Sequence, residues 1–215
     1  MKLRSVLIVV TAAIALTGCN RQGDIVVSDT VGITAIRSLC PAVGIADYTG
    51  DVTLFSPEGS TTADALDVTA VMTNVRTNCD DSGAEVYSTA TFEVQGTRRN
   101  TVGARTVQLP YFGTVLRGGS SVVSKRLGTV TLNFADGQSR ASATGTAGAV
   151  INRAEATLPA DIRERIIRTR RAGDDDAAVD PLTEPDVRAA LARATFELLV
   201  GFQLTEDQLA YNATR

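Results

Sequence analysis

Few side chains in this 215-residue chain could do chemistry: three cysteines at positions 19, 40 and 79, arginines at 163, 165, 168, 170 and 171, and three consecutive aspartates just after them. There is no histidine. Without imidazole, no serine or cysteine triad that uses it as a base can be assembled, and no serine lies in a G-x-S-x-G turn. Gly145 and Gly148 stand among alanines and threonines, lacking the lysine and hydroxyl of a phosphate-binding loop, so they are expected to pack against something instead. Two carboxylates could still hydrolyse a glycosidic bond. Asp47 with Glu93 is one such pair, but among 24 acids nothing in the sequence singles it out.

The arginine cluster is the most conspicuous charge feature, and three roles compete for it. Arg163, Arg165, Arg168, Arg170 and Arg171 could line a solvated helix and pair with Asp174, Asp175 and Asp176, which is the commonest fate of exposed charge runs. They could instead form a surface for an anionic partner, since guanidinium groups match phosphate and carboxylate in two-pronged geometry. Asp174, Asp176 and Asp180 could hold calcium through oxygen, but the spacing departs from the EF-hand loop and lacks its glycine. The first reading is favoured, and neither a metal nor a cofactor is expected.

Cys19 belongs to a different setting. Lys2 and Arg4 precede a run, residues 5–16, that is apolar apart from Ser5 and Thr11 and too short to span a bilayer. The run ends on Leu16-Thr17-Gly18-Cys19. This resembles the lipobox of bacterial lipoproteins, in which the peptide is cut before the cysteine, whose sulfur receives a diacylglycerol and whose new amine receives a further acyl chain. The resemblance implies a signal peptide over 1–18, lipidation at Cys19 and a membrane-bound mature protein, because two or three acyl chains anchor stably where one is marginal. Asn20, rather than an aspartate, follows the cysteine. In that family this implies the outer membrane, here facing the periplasm. The chain is also similar in outline to small uncharacterised envelope lipoproteins of Gram-negative bacteria, the Phe202-Gln203-Leu204-Thr205 return included, a likeness that carries no activity with it.

Export leaves Cys40 and Cys79 in an oxidising compartment, and a disulfide between them is expected, pinning strand ends rather than crossing a core. A formal charge of −3 and a pI near 5.1 provide no basic field, so nucleic acid is not an expected partner.

Residues 19–35 read as a lipidated tether and 36–215 as a single domain. From Cys40 to Phe134 apolar residues recur with period two between Gly, Asn, Asp and Ser clusters. Val43 and Ile45, Val52 and Leu54, and Leu66 through Met72 alternate. Val86, Ser88, Ala90, Phe92 and Val94 fall on one face, with Tyr87, Thr89, Thr91, Glu93 and Gln95 on the other. Further strands follow at Val107 and Leu109, at Val122 and Val123, and at Val130, Leu132 and Phe134, with an edge, bulge or bend at Pro110. About seven short strands in this arrangement predict a mainly β fold, an antiparallel β-sandwich of immunoglobulin-like architecture.

After Ala141 small residues dominate and no strand is assigned. A helix is expected from Pro159, with Ile162 and Ile166 inward, closing at Ala172-Gly173. A second helix from Pro185 to Ala194 makes a helical-hairpin insertion at about 158–195. Phe196 to Phe202 returns as a sheet-centre strand. Thr205 with Gln208 then caps a short C-terminal helix. The function these features favour is a non-enzymatic scaffold, assembly or protein-binding module held on the membrane, with an envelope protein or anionic lipid as partner. A carboxylate hydrolase of cell-wall material is the alternative.

Overall fold

The computed structural model describes residues 38–171 and 173–214; the expected signal peptide, Cys19 and the tether lie outside them. Ile33–Arg168 and Val179–Arg215 form one compact unit, and Thr169–Ala178 belongs to another. In the first unit the strands are β1 (Ala42–Ile45), β2 (Asp51–Phe55), β3 (Leu66–Asp80), β4 (Glu85–Arg98), β5 (Arg105–Arg117), β6 (Ser121–Phe134), β7 (Arg140–Asn152) and β8 (Phe196–Phe202). Helices α1 (Arg153–Ala156), α2 (Ala160–Ile167) and α3 (Pro185–Ala194) lie between β7 and β8, and α4 (Glu206–Thr214) follows β8.

Two four-stranded sheets, ordered β1-β8-β5-β6 and β2-β3-β4-β7, share one core. The expected mainly β sandwich with a helical insertion and a C-terminal helix is the architecture found. All the strand pairs are antiparallel except β1 with β8. The strands are longer than their sequence patches suggest: β3 to β7 each run 13 to 15 residues. β4 follows its predicted alternation, with Val86, Ser88, Ala90, Phe92 and Val94 buried. In β3 the apolar alternation lapses after Met72 because a bulge intervenes. Its register against β4 shifts between Thr73 and Arg76, and Asn74 takes a positive φ of 51°.

The unassigned small-residue stretch is β7, and its omission is the main correction to the sequence reading. Its inward positions, Ala141, Ala143, Gly145, Ala147 and Ala149, are small because neighbours fill the space above them. A Cβ on Gly145 would sit 2.4 Å from the ring of Phe92, its cross-strand partner on β4. Gly128 on β6 lies likewise under the ring of Tyr111 on β5. Phe92 and Tyr111 meet edge to face at 5.0 Å, and the Tyr111 hydroxyl donates to the Thr146 carbonyl of β7, tying one sheet to the other. Aromatic rings laid across glycines thus fill much of a core that has no tryptophan.

Pro110 sits one residue past the last β8–β5 pair, where its missing N–H costs no ladder bond on that side and its carbonyl accepts from Gln203. Beyond this same end of β8 the sandwich is held by the buried Arg98. Its guanidinium donates to the carbonyls of Thr101, Gly103, Ala135 and Gln138 and lies over the Phe134 ring, fixing the β4–β5 and β6–β7 connections. The predicted sheet-centre strand is β8, flanked by β1 and β5. Thr205 and Gln208 exchange capping hydrogen bonds at the start of α4, and Asn212 docks that helix on the carbonyls of Tyr48 and Asp51.

Candidate functional site

Cys40 and Cys79 are bonded, with Cα atoms 6.1 Å apart. Cys40 lies two residues before the start of β1 and Cys79 is the penultimate residue of β3, so the bond pins strand ends as expected. It also joins the two sheets, since β1 and β3 belong to different layers.

The five arginines do not share one helix. α2 ends at Ile167, where the Arg168 N–H closes the last turn on the Glu164 carbonyl, and Arg170 and Arg171 lie beyond it. This corrects the expected continuation to Gly173. Ile162 and Ile166 pack against Val187 and Ala190 of α3, with Leu158 and Leu182 around them. Over that contact Arg165 donates to Asp186 at 2.5 Å and to Glu184, clamping α2 to the start of α3. The guanidinium holds the Asp186 carboxyl below its ordinary range. Within Thr169–Ala178, the Arg170 side chain donates to Asp176 at 3.3 Å and the Arg171 backbone N–H to Asp174 at 2.9 Å. Arg163, Arg168 and Arg171 have exposed side chains.

The acids are dispersed. Glu93 lines a groove on the outer face of β2-β3-β4-β7 with Asp51, Gln95, Arg140 and Ser142, whereas Asp47 lies in the β1–β2 turn and is not part of its wall. A second groove, between residues 53–61 and α4, holds Glu58, Asp67 and Asp207. There Asp67 accepts two hydrogen bonds of 2.6 Å from Arg105 of the opposite sheet, which keeps its carboxyl below the usual range. Asp180, the third acid considered for calcium, caps the turn that starts at Pro181 through Leu182 N–H. Among the described residues no group of three or more His, Cys, Asp or Glu side chains is placed to hold a metal ion. None of the helices among them is long and apolar enough to cross a membrane.

The surface feature that sequence reading missed is the β5–β6 hairpin. Its turn passes through Gly118 and Gly119, both at positive φ, a conformation glycine adopts without a Cβ penalty. The β5 arm is anchored beside the turn, where Arg117 donates to the Arg193 carbonyl at 2.6 Å, reaches Glu155 at 3.4 Å and covers the Phe196 ring. The β6 arm is exposed along residues 121–127, with Val122, Val123 and Leu127 at 64, 53 and 68%. β6 is an edge strand of its sheet. Lys125 and Arg126 sit on successive residues and so on opposite faces. The Lys125 ammonium stands 4.7 Å from the Phe112 ring centroid. A signal was present in the sequence: Val123 and Leu127 fall out of step with Val130 and Leu132, on the opposite face of the strand. Nothing in the residue types, however, says that an edge lies there. Comparison with protein-family models, with curated proteins and with solved structures finds no match to this chain.

Proposed function

We propose that this chain is a lipid-anchored protein of the bacterial cell envelope, held by acyl chains on Cys19 at the outer membrane and facing the periplasm. Its sandwich acts as a protein-binding or scaffolding module rather than as an enzyme. The observation that carries the location is the Leu16-Thr17-Gly18-Cys19 motif at the end of a short apolar run behind two positive charges. Support for a binding role comes from where the polar chemistry goes. Arg98, Arg105, Arg117 and Arg165 are committed to holding elements together, while the β5–β6 hairpin presents apolar side chains to solvent.

Crosslinking mass spectrometry on membranes from cells expressing the tagged chain tests this reading. The wild type should fractionate with membranes and crosslink reproducibly to one envelope protein, and Cys19→Ala should leave the membrane fraction. Equal membrane retention of Cys19→Ala would refute lipid anchoring. Arg163→Glu with Arg171→Glu separates an anionic-lipid surface from a protein contact, since only the former should weaken with both charges reversed. Release of reducing ends from purified cell-wall glycan, lost in Glu93→Gln, would overturn the non-enzymatic assignment in favour of a carboxylate hydrolase.

A further inference from the structure

We propose that the free edge of β6, over residues 121–127, receives an extended segment of another protein as an added strand. That segment would carry two adjacent acidic residues flanked by apolar ones. This deepens the protein-binding reading above and rests on it.

An edge strand has unpaired N–H and C=O groups at every second residue, and these are the groups by which an incoming strand binds. Among the described residues no strand pairs with the side of β6 away from β5. The opposite half of β6 is different, because Val130, Leu132 and Phe134 are buried in the sandwich core. Residues 121–127 are exposed on both faces, so an added strand would meet no neighbouring layer. The β5 arm is fixed to α1 and the end of α3 through Arg117, so the docking edge is preformed.

The side chains select the occupant. Lys125 pairs across the ladder with Thr114 and Arg126 with Gly113, which puts one cation on each face. An added strand with neighbouring acids would place one carboxylate opposite each, and such cross-strand ion pairs favour one register. Val122 and Val123 on one side and Leu127 on the other ask for apolar partners. β6 contains no acid. A second copy would bring two Lys125-Arg126 pairs onto one short ladder, four cations without a counter-charge, which disfavours self-pairing. Lysine at an exposed edge also serves to keep strands apart. The test must therefore distinguish recognition from repulsion alone.

The experiment uses the full chain in detergent micelles with a fluorescein-labelled heptapeptide, Val-Thr-Val-Glu-Glu-Thr-Val. Its control carries Lys-Lys in place of Glu-Glu. The acidic peptide should bind at least tenfold more tightly than the control and slow hydrogen exchange in residues 121–127 and not in β7, the edge strand of the other sheet. Lys125→Glu with Arg126→Glu should reverse that preference. Leu127→Pro, which removes an N–H on the side of β6 away from β5, should weaken binding of either peptide more than Leu127→Ala does, with circular dichroism confirming that the variants fold. Failure of the acidic peptide to bind would leave Lys125 and Arg126 as protective charges and refute the proposal. So would equal binding of the two peptides, protection elsewhere, or concentration-dependent dimerisation that protects β6 without peptide. If crosslinking finds an envelope partner while the peptide leaves β6 unprotected, the edge assignment falls and the protein-binding reading stands. If the peptide protects β6 but Cys19→Ala still fractionates with membranes, the anchoring falls and the edge assignment stands.

Discussion

The two halves of β6 share one strand and one partner in β5 and carry three large apolar residues each, yet one half is core and the other is surface. In the C-terminal half Val130, Leu132 and Phe134 are at most 3% exposed; in the N-terminal half Val122, Val123 and Leu127 are more than half exposed. The difference comes from what lies across from them. The C-terminal half packs against β4 and β7, under connections held by Arg98 and beside the Asp67–Arg105 pair. The N-terminal half extends towards the hairpin turn, and only its β5 side is bonded. A β-branched or leucine side chain therefore says "strand" in both halves, and only tertiary neighbours decide whether it stabilises the fold or waits for a partner.

The largest effect expected from this contrast is at Leu132, which is fully buried and packs over Gly96, where an added Cβ would come within 2.4 Å of it. Leu132→Ala removes three buried carbons from a site with little room to collapse. It should cost about 3 kcal/mol in a urea melt with an unchanged slope. A cost below 1 kcal/mol would mean that the C-terminal half is not the packed half.

Gly128 marks the seam between the two halves. A Cβ there would lie 2.4 Å from the Tyr111 ring, which cannot retreat without breaking its edge-to-face contact with Phe92 and its hydrogen bond to Thr146. Gly128→Val should cost about 2 kcal/mol in spite of its better strand propensity. Removing the ring in the double variant with Tyr111→Ala should leave the two costs well short of additive. Strict additivity would show that ring and glycine do not meet.

How far the sequence could be read follows the same division. β4 was legible because one face is apolar and the other polar, β8 because Phe196, Leu198, Val200 and Phe202 recur at period two, and the terminal helix because Thr205 and Gln208 sit at capping spacing. β7 was not, since its inward face consists of alanines and a glycine made necessary by Phe92 on the neighbouring strand, and period-two reading detects bulk, not the space left for a neighbour's bulk. Arg98 has no special context in sequence, and its burial depends on four carbonyls from two distant connections. The arginine cluster was visible as charge. That Arg165 would clamp two helices while Arg170 and Arg171 fell outside α2 depended on where that helix ends, the least legible feature of any helix. The Cys40–Cys79 pairing followed from counting cysteines, but that it joins opposite sheets did not.

At the packed end, Asp67 and Arg105 join β3 to β5 across the sheets. The folded-state carboxyl of Asp67 lies below its ordinary value because Arg105 donates to it. The pair's contribution is thus fully present above about pH 4, the unfolded value, and is lost as pH falls through the lowered folded one. With the Arg105 side chain 41% exposed, the effect is small, about 1 kcal/mol or less. Asp67→Asn should flatten this part of the acid limb of stability against pH, measured by urea midpoint between pH 2 and 7. An unchanged limb would show that the sheets are held at this end by Arg98 alone.

The smallest effect is expected at Leu127, and it decides what the projecting half is for. A side chain 68% exposed with solvent on both sides of its strand has little burial to lose, so Leu127→Ala should change stability by less than about 0.5 kcal/mol. If residues 121–127 accept an added strand, the same substitution should weaken the acidic heptapeptide severalfold, because the apolar contact it removes forms only in the complex. Stability and binding would then respond to opposite halves of one strand: Leu132→Ala would lower the urea midpoint and leave peptide affinity unchanged under conditions where the variant is folded. A stability loss at Leu127 matching that at Leu132 would instead mean that the hairpin tip is already packed in the protein alone, leaving no free edge for a partner.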